Sequence, residues 1–384
     1  MNENKRKKKP RWQEYIFFAV MILIGGVCGW MTTCYMDGFV NDGVSMEQEL
    51  LMLAVTFVQI FVAMYLQTMI HEAGHLIFGL CSGYRFLSFR VGSFMWVKQD
   101  GKVRLKRLTI AGTGGQCLMA PPDMVDGKIP VFLYNLGGSF MNFISAILCL
   151  LLHFICGPSS MAGVFFMLMA LFGLVGALSN GIPINTGTIT NDGYNAMSLR
   201  KNPEALRAFW IQMKMCEKMS AGVRIKDMPD EWFYIPSEEA MKNSLVASIG
   251  VFTCNRFMDA LRFEEADEHM ERLLCMENGI IGLHRSMLIC DRIFCELVGE
   301  KRPERLEEML NKQQKKFMKS MKTYPSILRT QYAYALLYEK DMNKAEKIKQ
   351  QFEKYARTYP YPGEITGERE LMKTAENHAV DGDI

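Results

Sequence analysis

Apolar and charged positions are segregated along this chain rather than mixed. Tyr15 to Met36 contains no Asp, Glu, Lys or Arg, nor does Leu50 to Ile70, and a third such stretch runs from Ile129 to Asn191. About 20 apolar residues wound as a helix cover the ~30 Å hydrocarbon core of a bilayer, so the first two stretches each predict one span. The third holds two, with Gly157-Pro158-Ser159-Ser160 as the turn between them. Four transmembrane helices are therefore expected, the last three at about 50–80, 131–156 and 161–184.

Between the second and third spans, Tyr84–Val91 and Phe94–Leu108 are rich in aromatic and β-branched residues. Lys102-Val103-Arg104-Leu105-Lys106 alternates, and Asp100-Gly101 is a turn signal, so a β-hairpin is expected at about 84–108. Its edge would offer a place for an unwound substrate segment to add as a strand. Ala111-Gly112-Thr113-Gly114-Gly115 lacks the Lys-Ser/Thr of a phosphate-binding loop and reads as a flexible loop or strand edge.

After Gly193 the chain turns charged and helix-prone. Phe317 to Pro325 recurs 35 residues later as Phe352 to Pro360, close to the ~34-residue period of tetratricopeptide repeats. The bend Ala335 to Asp341 and the segment Phe263-Glu264-Glu265-Ala266 fit the same scheme. The expected fold is an all-α polytopic membrane protein with a small β-hairpin insertion and a soluble, repeat-like α-helical domain. The expected divisions are 1–49 (basic terminus, first span, outer loop), 50–194 (membrane core), 195–236 (helix and linker) and 237–384 (helical repeats). Such arrays present a groove to a protein partner, although an inert helical domain fits the pattern equally.

The 384 residues carry a formal net charge of only +3, but the charge is unevenly placed. Lys5, Arg6, Lys7, Lys8, Lys9 and Arg11 precede the first span, and Arg85, Arg90, Lys98, Lys102, Arg104, Lys106, Arg107 and Lys128 lie between the second and third. The loop after the first span has Asp37, Asp42, Glu47 and Glu49 and no basic residue. Basic loops stay inside, so the amino terminus and the carboxyl-terminal domain are expected to be cytoplasmic in a multi-pass cell-membrane protein. The basic terminus abuts a hydrophobic span and has no interleaved base-stacking residues, which points to anionic lipid rather than nucleic acid. The 11 cysteines are scattered without a C-x-x-C pair and read as reduced thiols.

Near the inner end of the second expected span stands His71-Glu72-Ala73-Gly74-His75. Helical positions i and i+4 share a face, so both imidazoles can reach one tetrahedral Zn²⁺ while Glu72, about 100° around, serves as base. Ionisable groups in a span are costly and are functional by default. Peptide hydrolysis is the reaction that two histidine ligands and a neighbouring carboxylate base suit.

Asp192 is the first charge after the long apolar tract. The fourth helix runs inward, so it delivers Asp192 to the depth of His71, ~31 Å along the second. It is the candidate third ligand; Asn191-Asp192-Gly193 is also ordinary turn chemistry. Asn142, on the inner half of the third span, is a candidate for steadying the substrate or an oxyanion, as is Asn180 at the end of the fourth. Helix-to-helix hydrogen bonding is the other reading of Asn142, with Gly137 and Gly138 allowing close packing. His153 falls near the far end of the third span and is expected to bond a neighbouring helix. Phe78 and Cys81 occupy the positions where metzincins carry their further glycine and histidine, so that zinc pattern is excluded.

These residues resemble the site-2 protease family of intramembrane zinc metalloproteases. His71-Glu72-Ala73-Gly74-His75 resembles the family's first motif, Gly138 with Asn142 and Ala146 its G-P-x-x-N-x-x-x-A helix, and Asn180-x-x-Pro183 with Asp192-Gly193 its third. Ser139 stands where the family has Pro, Asn191 where Leu is usual, and the connection from Pro183 to Asp192 is longer. The resemblance covers roughly residues 50 to 195 and implies that His71, His75 and Asp192 bind zinc with Glu72 as base. The expectation is an intramembrane metalloendopeptidase acting on a transmembrane or membrane-associated peptide near the cytoplasmic side. A membrane-anchored adaptor with a vestigial or structural metal site, its repeats binding a protein partner, is the alternative. A metal transporter would carry more intramembrane acids or histidines than His153 alone.

Overall fold

The computed structural model describes residues 45–381 except 100, 109–112, 159 and 185–190, with isolated positions between 19 and 30. The first expected span, Tyr15–Met36, thus lies almost wholly outside the described residues. Contacts divide the chain into two units, residues 1–82 with 130–201, and residues 83–129 with 202–384.

In the first unit, Ser45 opens helix α1 (Met46–Cys81) with a capping box, its hydroxyl accepting from Gln48 N while the Gln48 side chain accepts from Ser45 N. At 36 residues the helix is ~54 Å long and outreaches the ~30 Å apolar core of a bilayer. Helix α2 (Phe132–Cys156) starts without a side-chain cap, although Asn135 Nδ2 donates to the Val131 carbonyl at 2.7 Å. Ser160 caps helix α3 (Met161–Gly181), its Oγ accepting from Gly163 N at 2.9 Å. By length and composition α1, α2 and α3 are each able to cross a membrane. Their outer faces expose Leu50, Phe57, Phe61, Phe143, Ile147, Leu151 and Ile155, a surface far more apolar than a soluble monomer presents.

Glycines set how closely these helices pack. A Cβ added to Gly74 would lie 2.2 Å from the Gly137 carbonyl oxygen, and one on Gly137 would lie 2.5 Å from that of Gly74. On α3, a Cβ on Gly173 would meet the Asn142 carbonyl oxygen at 2.9 Å. Backbone-to-backbone contact of this kind is how helices associate where lipid removes the hydrophobic drive. Polar links join it. Gln67 on α1 donates to Ser145 Oγ on α2 (3.0 Å) and to the Met169 carbonyl on α3 (2.8 Å). At the far end, His153 Nδ1 lies 2.9 Å from the Gly163 carbonyl, the neighbouring-helix bond expected of it. A short helix, α4 (Asp192–Ser198), completes the described part of this unit.

The second unit opens with strands β1 (Arg85–Val91), β2 (Phe94–Gln99), β3 (Lys102–Arg107) and β4 (Gly115–Ala120), an antiparallel sheet in the order β3-β2-β1-β4. The single hairpin expected at about 84–108 is therefore corrected to four strands. The run Phe94–Leu108 folds back on itself at Gly101 (φ +75°), and β4 adds beside β1 directly after the Ala111–Gly115 segment read as a flexible loop or strand edge. Contacts also group the sheet with the carboxyl-terminal helices rather than within residues 50–194. Met95, Val97 and Leu108 are buried in the same apolar cluster as Met270, Leu288, Phe294 and Phe352, and Lys214 pairs with Asp123 at 2.9 Å.

Helices α5 (Pro203–Ser220), α6 (Ser244–Asp259), α7 (Phe263–Cys275), α8 (Gly282–Val298), α9 (Pro303–Met309), α10 (Lys312–Ser320), α11 (Pro325–Ala333), α12 (Met342–Ala356) and α13 (Pro362–Asp381) follow. The two copies of the recurring motif occupy equivalent places. Phe317 to Pro325 spans the end of α10 and the start of α11, and Phe352 to Pro360 the end of α12 and the approach to α13. Proline favours such starts because the first helical N–H has no partner to lose. Phe263 begins α7, and the Ala335–Asp341 bend is a π turn (Tyr334–Tyr338) followed by Asp341, which caps α12.

Candidate metal centre

Helical periodicity alone puts His71 and His75 on one face of α1, and their rings stand nearly perpendicular with centroids 4.8 Å apart. What fixes each ring is its Nδ1. That of His71 lies 2.7 Å from Asn142 Oδ1, and that of His75 lies 2.7 Å from the Tyr134 carbonyl, both on α2. The Tyr134 carbonyl can only accept. Asn142 is oriented too, because its Nδ2 donates to the Gln67 carbonyl (3.1 Å) and to Gln67 Oε1 (2.8 Å), so its oxygen faces the imidazole. Each Nδ1 therefore carries a proton, and in the neutral imidazole each Nε2 then keeps a lone pair.

Both lone pairs point at one place. The Nε2 atoms are 3.1 Å apart, and Asp192 Oδ2 lies 3.1 Å from His71 Nε2 and 3.3 Å from His75 Nε2. As imidazolium either ring would pair with the Asp192 carboxylate through an Nε2–H; in the neutral tautomer the two nitrogens and the oxygen are all acceptors, and a cation among them would satisfy all three. Ligands at 2.0–2.1 Å in tetrahedral array stand roughly 3.3 Å apart, so this triangle has the size that such an ion requires. The Asp192 side chain remains 27% exposed while those of His71 and His75 are 13% and 10%, which leaves the triangle open to an outside ligand. Glu72, the residue next to His71, is buried on the same helix.

Asp192 is brought back by its neighbours. Asn191 Nδ2 donates to the Ser179 carbonyl (2.7 Å) and the Ile182 carbonyl (2.6 Å), while its Oδ1 accepts from Ile184 N and Tyr194 N, each at 3.0 Å. This one amide ties the frayed end of α3 to the start of α4, in a position where leucine would hold nothing. Gly193 permits the approach, since a Cβ there would sit 2.2 Å from the Gly181 carbonyl oxygen. Gly138 does the same beneath the metal face, where a Cβ would lie 2.5 Å from Cε1 of His71.

Of the two readings of Asn142, its bonds fit the helix-to-helix one. Asn142 spends both amide hydrogens on Gln67 and its oxygen on His71, a candidate ligand. Asn180 turns back onto its own helix, donating to the Gly176 carbonyl at 3.1 Å and Ser179 Oγ at 3.4 Å. Gln67 and the Tyr134 carbonyl were not singled out from the sequence, and Asn191 was noted only as a turn residue and as a departure from the resembled motif. A buried amide in an apolar span was the available signal for Gln67, while a backbone carbonyl carries none. No protein-family model matches this chain, nor does any curated protein sequence or solved structure.

Proposed function

We propose that the chain is an intramembrane zinc metalloendopeptidase, hydrolysing a peptide bond of a transmembrane or membrane-associated substrate near the cytoplasmic side. The observation that carries this reading is the convergence of His71 Nε2, His75 Nε2 and Asp192 Oδ2 within 3.3 Å of one another, beside a buried glutamate on a helix long and apolar enough to cross a bilayer. His71, His75 and Asp192 would hold a Zn²⁺, which would supply Lewis acidity toward the scissile carbonyl and the attacking water. Glu72 takes the proton of the attacking water and returns it to the departing amide nitrogen. Asn142 and the Tyr134 carbonyl keep the imidazoles in the tautomer that turns their lone pairs inward.

The charge pattern supports placing the amino terminus and the second unit in the cytoplasm. In the other reading the chain is an adaptor whose helical unit binds a protein partner and whose metal site is vestigial. A base beside the ligands has no use in a structural site, which favours hydrolysis.

The test is Glu72→Gln in membranes. Zinc content should stay at the unmodified level, while substrate-derived membrane-peptide fragments seen with the unmodified chain should disappear. Identical fragment profiles with zinc retained would overturn the enzymatic reading. Asp192→Ala should lower zinc content and affinity; unchanged zinc would remove Asp192 from the ligand set.

A further inference from the structure

Among the described residues of the helical unit, two large surface cavities differ in how their charges are arranged. The first, about 500 Å³, is lined by Arg262, Glu265, Glu296, Glu300 and Arg302 among others. Its charges are settled internally, Arg262 pairing with Glu265 and Arg302 with Glu296 (2.8 Å) and Glu300 (3.2 Å). With Glu264 and Asp267 also lining it, its carboxylates outnumber its two arginines, so it does not gather anions.

The second, about 600 Å³, opens among α8, α10, α11, the π turn and α12. Five lysines line it: Lys315, Lys319 and Lys322 from one side, Lys344 and Lys347 from the other. All five are exposed. The sole acidic lining residue is Glu339, which pairs with Lys344. No ion pair occupies Lys315, Lys319, Lys322 or Lys347 among the described residues. Between the lysines the lining is mostly apolar, Ile293, Leu310, Met318, Tyr334 and Ile348, with Thr330, Gln331 and Gln351 as its neutral polar members.

We infer that this groove docks an acidic polypeptide segment, with Asp and Glu side chains meeting the two lysine rows and a large apolar side chain seated between them. Unpaired like charges around a concavity raise the local concentration of the opposite charge. The recessed apolar lining supplies the contact that steering charges alone do not. The competing ligands fit less well. Phosphate-rich ligands are best gripped by the planar arginine fork, and every cation lining the groove is lysine. A single-stranded nucleic acid needs aromatic faces for its bases, and the one aromatic lining residue, Tyr334, already stacks on Tyr338 with ring centroids 5.0 Å apart. The inference is independent of whether the metal centre is catalytic.

The experiment uses the full-length chain in phosphatidylcholine nanodiscs and a short fluorescein-labelled peptide with Asp and Glu around a central Leu-Phe pair. Its counterpart replaces each acid by Asn or Gln. Anisotropy titration should give an affinity about tenfold or more tighter for the acidic peptide, and the advantage should shrink as salt rises from ~0.05 to ~0.5 M. K319E/K347E should abolish the preference without moving the thermal unfolding midpoint, since both residues are exposed. M318A should weaken both peptides by a similar factor, reporting the apolar seat. Equal affinity for the two peptides, or an unchanged preference in K319E/K347E, overturns the proposal. So does loss of the preference when phosphatidylserine is added to the nanodiscs, because the groove would then belong to lipid.

Discussion

Asn142 Oδ1 lies 2.7 Å from Nδ1 of His71, and the same side chain donates twice to Gln67. One buried amide thus links the two longest described helices of the first unit and sets the tautomer of a candidate ligand. Replacing it with leucine, close in volume but unable to accept, frees the imidazole to rotate. Outer-shell partners of this kind are worth about 10–100-fold in metal affinity. Asn142→Leu should lose that much zinc affinity in a chelator-competition titration, and Asn142→Asp, which retains an acceptor, should lose less. Equal affinity in the leucine variant would remove Asn142 from this role.

Two glycines a few ångströms apart should fail differently. A Cβ at Gly138 meets three ring atoms of His71 at 2.5–2.7 Å, whereas one at Gly74 meets the Gly137 backbone at 2.2–2.7 Å. A ring at the end of a side chain can yield; a helix backbone cannot do so without separating the helices. Gly138→Ala should therefore reduce zinc binding in a protein that still purifies as a stable monodisperse species. Gly74→Ala should destabilise the helix pair by at least ~1–3 kcal/mol, seen as a lower detergent-unfolding midpoint. The assignment fails if both variants lose zinc and stability alike.

In the helical unit Arg329, 1% exposed, bridges Asp291 at 2.5 Å and Glu368 at 2.9 Å while its guanidinium lies 4.6 Å from the Phe294 ring centre. Removing the cation strands two buried carboxylates. Arg329→Met should cost about 3–5 kcal/mol, read as a drop in the thermal transition followed by tryptophan fluorescence, because Trp96, Trp210 and Trp232 lie in this unit. Adding Asp291→Leu and Glu368→Leu should recover most of the loss. A triple variant no more stable than the single one would show that the cluster is not an energetic unit.

Glu364 carries a pH signature. Burial, and then the neighbouring Glu368 charge, push its carboxyl from an ordinary 4.5 to about 8, with the Tyr359 hydroxyl donating to it at 3.0–3.1 Å. The folded state then holds a proton that the unfolded chain releases, so stability falls as pH rises from about 4.5 to about 8 and levels off beyond. Thermal midpoints of the unmodified chain should decline across that window, and Glu364→Gln should flatten the decline. A Gln variant with the same slope would place the titration elsewhere.

Much of the candidate metal centre was legible in residue order because helix geometry is local. His71 and His75 share a face by the i, i+4 rule alone, and the charge-free stretches marked the helices that became α1, α2 and α3. The sheet was legible only in part. The alternating run and the Asp100-Gly101 turn are local signals, but β4 lies apart from its partner β1 and its pairing is a long-range contact. Without that pairing, Gly115–Ala120 has no pattern that separates a strand from a glycine-rich loop.

The sequence by itself determined which residues are costly in hydrocarbon and which are free to turn: the paired histidines, the glutamate between them, and the glycines and asparagines along the apolar helices. Tertiary structure decided which of these meet. Asp192 is 121 residues from His71, and Asn142 is 71 away. Contacts over such separations depend on how closely helices approach, and so on the carbonyl-to-glycine packing of Gly74 with Gly137 and the bonds by which Asn191 draws α4 to the end of α3. A linear pattern records the small residue or the amide. The distance it creates exists only once the helices have packed.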